Sequence, residues 1–162
     1  MASDQVDSGQ VGGYGETVDL DLCACLLREH GIRVTSQRTR ILCFLRDRDD
    51  HPTVDTIYKA LRPEEQSLSR TTVYNTLDLL NRAGLVSVLT ISVGEQRYEF
   101  GQEMHHHLLC DTCGRIMDID IRCPYTDDLL HGKHKIKEVH GYFRGTCDHC
   151  LSGGAKDTGP EE

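Results

Sequence analysis

The chain has 162 residues and a formal net charge of -8, with 38% hydrophobic residues, no Trp and eight Cys. This length allows one domain or two small ones, each with a modest core that a bound metal or a subunit interface would help to stabilise. A uniformly acidic surface repels phosphate, so the net charge argues against nonspecific binding to nucleic acid. Residues 28–82 are different, because they carry ten Lys and Arg against eight Asp and Glu. This segment is the part that we expect to approach DNA.

The termini and the cysteine content indicate the compartment. The N-terminus lacks the basic, apolar and small-residue regions of a signal peptide, and no apolar run approaches the roughly 20 residues of a membrane span. We therefore expect a cytoplasmic protein with no membrane partner. In that reducing compartment, Cys residues serve as metal ligands, redox thiols or small core residues rather than as a disulfide framework.

Four helices are predicted between two polar tails. Residues 1–16 and 152–162 lack periodic apolar positions, and we expect both tails to be disordered. The first helix is expected to end at Gly31. Its apolar stripe consists of Val18, Leu22, Cys25 and Leu26. Capping side chains and apolar periodicity place the four helix starts. The predicted N-caps are Thr17, Thr35, Thr53 and Ser69.

The pattern changes from helix to strand after Gly84. Strands are predicted at 85–91 and 96–100 around a turn at Gly94, which indicates a β-hairpin. Helices followed by a hairpin are typical of a winged helix-turn-helix domain. We place this domain at residues 17–98.

The fourth helix begins with an exposed polar and basic turn. In a helix-turn-helix domain, the first residues of the second helix contact base edges in the major groove. Here they are Thr71, Thr72, Tyr74 and Asn75, with Arg70 available for a phosphate or a base. The alternative is an ordinary capped helix start, which any small helical domain contains.

The second half is predicted to be a small α+β domain at residues 99–151. A short helix is possible at 126–131. The strands are expected near 107–109, 115–121 and 135–143.

Two Cys-x-x-Cys pairs dominate this second half. Cys110 with Cys113, and Cys147 with Cys150, offer four thiolates, the set that a tetrahedral structural Zn²⁺ takes. A thiol-disulfide switch is the alternative, although a thioredoxin-like site has a single pair in a βαβ setting. The remaining cysteines are interpreted as small buried residues. They are Cys23, Cys25, Cys43 and Cys123.

A run of three histidines precedes the first cysteine pair. On an extended strand, His105 and His107 point to one face and His106 to the other. Carboxylates lie near in sequence at Glu99 and Asp118. Mixed imidazole and carboxylate ligands suit Fe²⁺, Mn²⁺ or Zn²⁺, and five or six of them fit iron or manganese best. The alternative is a solvated or hydrogen-bonded histidine cluster.

These motifs resemble the ferric uptake regulator (Fur) superfamily over residues 22–150. The matching segments are 31–38 (GIRVTSQR), 51–53 (HPT), 69–77 (SRTTVYNTL), the triple His before Cys-x-x-Cys-Gly, and the terminal Cys-x-x-Cys. Arg38 and Ser69 lie in these segments and complete the set expected to contact DNA. The resemblance implies a homodimeric repressor, not an enzyme, that binds a palindromic operator. It also implies structural Zn²⁺ in a small α/β dimerisation domain and a regulatory Fe²⁺ or Mn²⁺.

The implied regulatory ligands add a residue from the first domain. They are His51, Glu99, His105, His107 and Asp118. Because His51 precedes the third helix while the other four belong to the hinge and the second domain, one ion would clamp the two domains. Metal would then favour the DNA-binding geometry by its differential affinity for that state.

The subfamily features conflict. Glu99 resembles the iron-uptake regulators, since peroxide-responsive repressors usually have Asp there. Asn75 and the short segment between Asp118 and Cys147 resemble the peroxide-responsive repressors. We expect control of peroxide-stress genes, with control of iron-uptake genes as the alternative.

Two further histidines and two other functions complete the expectations. His106 and His140 are left out of the ligand set, because Met104 replaces a histidine often found in a third site and His140 is displaced. A thiol-redox protein that uses the Cys-x-x-Cys pairs and a zinc-stabilised protein-interaction adaptor are the alternatives from other classes.

Overall fold

The structure is a computed structural model that describes residues 14–92, 94–101, 105–119, 121, 130–131, 134–135 and 141–153. Its helices are α1 (Tyr14–Glu29), α2 (Ser36–Arg46), α3 (Val54–Leu61), α4 (Arg70–Arg82) and α5 (Asp148–Leu151). Its strands are β1 (Val86–Ser92), β2 (Glu95–Phe100), β3 (His106–Cys110), β4 (Ile116–Ile119), β5 (Leu130–His131), β6 (His134–Lys135) and β7 (Tyr142–Gly145). Among the helices in these ranges, none has the length and apolar character that crossing a bilayer requires.

Three of the four predicted N-caps are confirmed. The side chains of Thr35, Thr53 and Ser69 each accept a hydrogen bond from the backbone N–H three residues further on. Each cap thus provides an acceptor for one of the first backbone N–H groups of its helix, which have no partner within the helix. The prediction for the first helix is wrong, because α1 already begins at Tyr14 and includes Thr17. The helical part of the chain therefore starts within the predicted tail 1–16.

The buried face of α1 differs from the predicted stripe. Leu22 is 50% exposed and Cys25 is exposed, whereas Cys23 and Leu27 are fully buried. Apolar side chains surround this helix almost completely between residues 20 and 27, so periodicity alone does not select one face. Packing against α2 makes the selection.

The cysteines outside the two predicted pairs also depart from expectation. Cys23 and Cys43 are buried, as predicted, but they form a disulfide with a Cα–Cα distance of 5.9 Å. Cys25 is not a core residue. Cys123 lies outside the described residues.

The first unit has one apolar core beneath α1–α4 and the hairpin. Side chains from all four helices pack with Val86 and Tyr98 of the hairpin. Strands β1 and β2 pair antiparallel, and Gly94 takes φ +91° at the predicted turn. This arrangement confirms the winged helix-turn-helix prediction. Strand β2 extends to Phe100, so Glu99 lies on the wing of this unit.

The second unit is a small sheet in the order β4-β3-β7. Strand β3 pairs antiparallel with β4 and parallel with β7. Among the described residues of this unit, the buried apolar cluster consists of Cys110, Cys113 and Cys147, with Met117 and Cys150 packed against it, and Ile116 is also buried. The described part of this core is therefore centred on cysteines, where a bound metal would add stability.

The local prediction is partly wrong in this unit. Residues 130–131 form a strand paired with 134–135 instead of the end of a helix, and 126–129 lie outside the described residues. The described ends of the predicted strand 135–143 belong to two separate strands, β6 and β7. Helix α5 was not predicted. The α+β fold class is nevertheless confirmed.

Candidate metal centres and nucleic-acid interface

The four predicted zinc ligands converge at the end of β3, and we call them the four-cysteine cluster. Cys110 and Cys113 lie at the tight turn that follows β3, while Cys147 caps α5 and Cys150 lies within it. The parallel β3–β7 pairing brings these distant segments together. All four Sγ atoms lie within 4.8 Å of one another.

The sulfur positions fit a tetrahedral cation. The Sγ atoms of Cys110 and Cys150 are 3.9 Å apart, and those of Cys113 and Cys147 are 3.8 Å apart. Zn–S bonds of about 2.3 Å give S···S edges of about 3.8 Å in a tetrahedron. The donor set and its spacing therefore suit Zn²⁺.

Local hydrogen bonds favour the thiolate form of Cys110 and Cys113 in the four-cysteine cluster. The backbone N–H of Cys147 donates to Cys110 Sγ at 3.3 Å and lowers the pKa of that thiol. The Arg115 guanidinium donates to Cys113 Sγ at 3.5 Å and lowers the pKa of Cys113. Burial and the neighbouring thiols raise the pKa of Cys150. A bound dication would supply the charge that holds all four as thiolates.

The second predicted metal site also assembles, and we call it the five-ligand cluster. Its members are His51, Glu99, His105, His107 and Asp118, which offer atoms within 4.8 Å of one another. His51 comes from the loop before α3 and Glu99 from β2. The other three come from the second unit, where His107 on β3 pairs directly with Asp118 on β4.

Three imidazoles face the same two carboxylate oxygens. The Nε2 atoms of His51, His105 and His107 lie 3.0–3.1 Å from Glu99 Oε2. The same atoms lie 3.0–3.4 Å from Asp118 Oδ1. Each Nε2 carries at most one hydrogen, so hydrogen bonding does not satisfy every one of these close approaches.

A shared cation accounts for the whole arrangement. Metal–ligand distances of about 2.1 Å place adjacent ligands of a five- or six-coordinate ion about 3.0 Å apart, close to the separations observed here. Borderline nitrogen donors with two carboxylates suit Fe²⁺, Mn²⁺ or Zn²⁺. The residues therefore fit the regulatory metal that the sequence predicts.

Glu99 is the most strongly perturbed carboxyl of the cluster. Its burial would raise the pKa, but hydrogen bonds from His107 and His51 and the nearby charge of His105 outweigh this effect and lower the pKa to about 2. The side chain is 12% exposed. Glu99 is thus held as a carboxylate, the form that ligates a cation.

The position of His51 is fixed by the wing. His51 is 1% exposed and has φ +50°, a left-handed backbone conformation that is uncommon for residues other than Gly. The carbonyl of Pro52 accepts a hydrogen bond from the Tyr98 N–H at 3.1 Å. Arg97 Nη1 donates to the His51 carbonyl at 3.3 Å. These bonds tie the His51 loop to β2, the strand that carries Glu99.

The middle histidine points away from the five-ligand cluster, as predicted. His106 is 6% exposed, and its ring meets Phe143 edge-on at 5.7 Å between centroids. Its Nδ1 has no hydrogen-bond partner among the described residues. Met104 and His140, the other positions considered for a third site, lie outside the described residues.

The predicted DNA-contacting residues lie on and beside the start of α4. Thr71, Tyr74 and Asn75 are exposed, and Tyr74 has 53% of its surface accessible. Arg38, Thr72 and Asn75 line a neighbouring groove of about 520 Å³. Ser69 is occupied as the N-cap of α4. One surface of the first unit therefore presents the predicted set, and its contact with DNA stays a prediction.

The structure adds two residues that sequence reasoning missed. Asp55 Oδ1 lies 2.6 Å from Nη2 of Arg70 and 2.8 Å from its Nε. The Arg70 guanidinium also lies over the Tyr58 ring at 4.4 Å. Both residues are on α3, and the adjacent helix fixes the cation at the start of α4. The sequence positions of Asp55 and Tyr58 do not indicate a contact with Arg70, because only the packing of α3 on α4 brings these residues together.

The geometry agrees with a family match and with curated relatives. A model of the ferric uptake regulator family matches residues 29–143. The chain is 39% identical over 100 residues to the peroxide-responsive repressor PerR of Staphylococcus aureus (strain Mu50). This match covers 62% of the chain and 68% of the relative.

Solved structures show the same fold. The ferric uptake regulator Fur of Helicobacter pylori is 22% identical with a TM-score of 0.63, over 83% of this chain and 93% of that one. Fur of Vibrio cholerae is 25% identical with a TM-score of 0.62, over 76% and 98%. The family match spans most of the sequence and both metal clusters lie in the described structure, so this chain belongs to the ferric uptake regulator family.

Proposed function

We propose that the protein is a metal-dependent, DNA-binding transcriptional repressor rather than an enzyme. It acts in the cytoplasm as a homodimer on a palindromic operator, with zinc in the four-cysteine cluster and Fe²⁺ or Mn²⁺ in the five-ligand cluster. One observation carries this proposal. Two of the five ligands belong to the unit with the recognition helix α4, and three belong to the β4-β3-β7 unit.

The bound cation would supply positive charge that offsets the two carboxylates and favours the state in which all five groups meet. Contacts within the first unit link the metal ligand His51 to the recognition helix α4. His51 is two residues before the cap Thr53 of α3, and α3 packs on α4 through the Asp55–Arg70 ion pair. A dimer reads two half-sites about 34–36 Å apart only when both recognition helices are correctly placed.

A full switch between the two states sets the scale of the coupling. Changing the DNA-competent population from 1:99 to 99:1 needs a differential affinity of about 10⁴-fold, or about 5.5 kcal/mol. Without the ion, His51 and Glu99 contact the second unit through hydrogen bonds to Asp118, His105 and His107 and through the His51–His107 ring contact. We expect the ion to account for most of this preference.

Replacement of His51 by Ala tests the proposal. Zinc-loaded His51→Ala should lose Mn²⁺-stimulated binding to the operator, measured by fluorescence anisotropy, and keep its zinc, measured by elemental analysis. Tyr74→Ala is the control, since it should weaken DNA binding and leave Mn²⁺ affinity unchanged. Metal-stimulated binding by His51→Ala equal to that of the unmodified protein would falsify the clamp.

We further propose that the regulated response is peroxide stress. The similarity to peroxide-responsive repressors supports this, and so does Asn75 in the recognition helix. Hydrogen peroxide should release operator DNA from the Fe²⁺-loaded protein but not from the Mn²⁺-loaded protein. Mass spectrometry should then find added oxygen on the peptide that carries His105 and His107.

Control of iron uptake is the second candidate, and the position of Glu99 favours it. Its Oε2 lies within 3.1 Å of three imidazole nitrogens, so this longer carboxylate reaches all three histidines of the cluster. Fe²⁺-stimulated DNA binding that peroxide does not change, without oxygen on the histidine peptide, would assign this role.

A further inference from the structure

A cysteine pair outside both metal clusters joins the first two helices. Cys23 on α1 and Cys43 on α2 form a disulfide across 20 residues of sequence. Neither residue belongs to the four-cysteine cluster, and neither contacts the five-ligand cluster among the described atoms. The metal-dependent function leaves this pair without a role.

The surroundings of the pair favour thiol chemistry. Arg46 Nη1 lies 3.6 Å from Cys23 Sγ, and the same guanidinium pairs with Asp19 at 2.9 Å. A neighbouring guanidinium stabilises a thiolate relative to the thiol. The guanidinium therefore favours the thiolate of Cys23 whenever the disulfide is open, and this thiolate is the form that attacks an oxidised Cys43.

The fold of α1 does not depend on the covalent link alone. Leu27 of α1 is fully buried in the same core as Ile41 and Leu42 of α2. The Asp19–Arg46 ion pair adds a second noncovalent contact between the two helices. Opening the disulfide would thus leave two thiols side by side in a folded domain, which is the arrangement a reversible redox pair needs.

We propose that Cys23 and Cys43 are a reversible, metal-independent redox site in the DNA-binding domain, oxidised by a small hydroperoxide and reduced by a low-molecular-weight thiol. Cys43 is 9% exposed and Cys23 is fully buried, so Cys43 meets the oxidant. The oxidised pair anchors α1 to α2, and the reduced pair leaves α1 held by its noncovalent contacts.

The oxidation balances with hydrogen peroxide as the only oxidant. The Cys43 thiolate attacks one peroxide oxygen, the O–O bond breaks, and Cys43 sulfenic acid forms while hydroxide leaves. The Cys23 thiolate then attacks the Cys43 sulfur, the S–O bond breaks, and the second oxygen also leaves as hydroxide. The protons that the two thiols released convert both hydroxides to water. Two thiols lose two electrons and two protons, and one peroxide becomes two waters. Two molecules of a monothiol reverse the reaction and become a disulfide.

Peptide mapping of the full-length, zinc-loaded protein tests this assignment. Trypsin separates the two cysteines, because 1–28 contains Cys23 and Cys25 whereas 41–46 contains Cys43. We expect the linked pair of peptides, two hydrogens lighter than their sum, to appear with peroxide and to disappear with excess reduced glutathione. The exposed Cys25 provides the matched control. Cys25→Ser should form the same link.

Single replacements test the order of attack. Cys23→Ala should accumulate a sulfenic acid on Cys43 that dimedone traps, whereas Cys43→Ala should leave Cys23 unmodified. Amide hydrogen exchange in α1 should be faster in the reduced unmodified protein than in the oxidised one.

Either of two results with the unmodified protein would overturn the proposal, whether or not the variants fold. The first is no link after excess peroxide. The second is a link that excess reduced glutathione does not open in the native state, which would make the disulfide permanent.

Discussion

Two neighbouring histidines offer a matched test of the five-ligand cluster. His107 and His106 are adjacent on β3 and are 4% and 6% exposed, but they point to opposite faces. The Nε2 of His107 lies 3.0 Å from Glu99, whereas the ring of His106 packs on Phe143. His107→Ala should therefore remove a metal ligand, and His106→Ala should remove only a packed side chain.

The expected magnitudes separate the two effects. Both truncations leave a similar cavity, so each should lower the free energy of unfolding by about 1–3 kcal/mol. Losing an outer-shell partner of a ligand typically costs about 10- to 100-fold in metal affinity. Losing the ligand His107 should cost at least about 100-fold in Mn²⁺ affinity, or about 2.7 kcal/mol. His106→Ala should change this affinity by much less.

Isothermal titration of each zinc-loaded variant with Mn²⁺ provides the measurement. Thermal unfolding without Mn²⁺ gives the stability of each variant and shows whether both are folded at the titration temperature. Equal losses of Mn²⁺ affinity in the two variants would refute the assignment of opposite faces. Unchanged affinity in His107→Ala would refute the ligand role of this residue.

Two further predictions concern the zinc site and the DNA surface. Cys113→Ser should lose zinc and unfold the second unit, because structural zinc contributes about 10–16 kcal/mol to folding; the control Cys25→Ser should keep its zinc. A stable, dimeric, zinc-free Cys113→Ser protein, seen by elemental analysis and light scattering, would contradict a structural role for zinc in the four-cysteine cluster. Asp55→Asn should release the Arg70 guanidinium and reduce discrimination between operator and scrambled duplex. The affinity for scrambled duplex should not fall, because the substitution removes a negative charge. If competition binding gives the same ratio of operator affinity to scrambled-duplex affinity as the unmodified protein, Asp55 does not position Arg70 for base recognition.

Local chemistry in the sequence was sufficient for much of the fold. Thr35, Thr53 and Ser69 act as caps in the structure as predicted, because a cap depends only on its own side chain and a backbone N–H three residues away. The Cys-x-x-Cys spacing identified the four-cysteine cluster for a similar reason, since each pair converges within one turn. The alternation of a strand likewise separated His105 and His107 from His106.

Only the tertiary structure decided the remaining features. The face of α1 that is buried, and hence the Cys23–Cys43 disulfide, depends on packing against α2, because apolar residues surround α1. Spacing could not place His51 beside Glu99, 48 residues away, and the resemblance to a known family first suggested that pairing. The contacts of Arg70 with α3 arise in the same way. Sequence specifies interactions within a few residues directly, whereas contacts between distant segments depend on how complete elements pack.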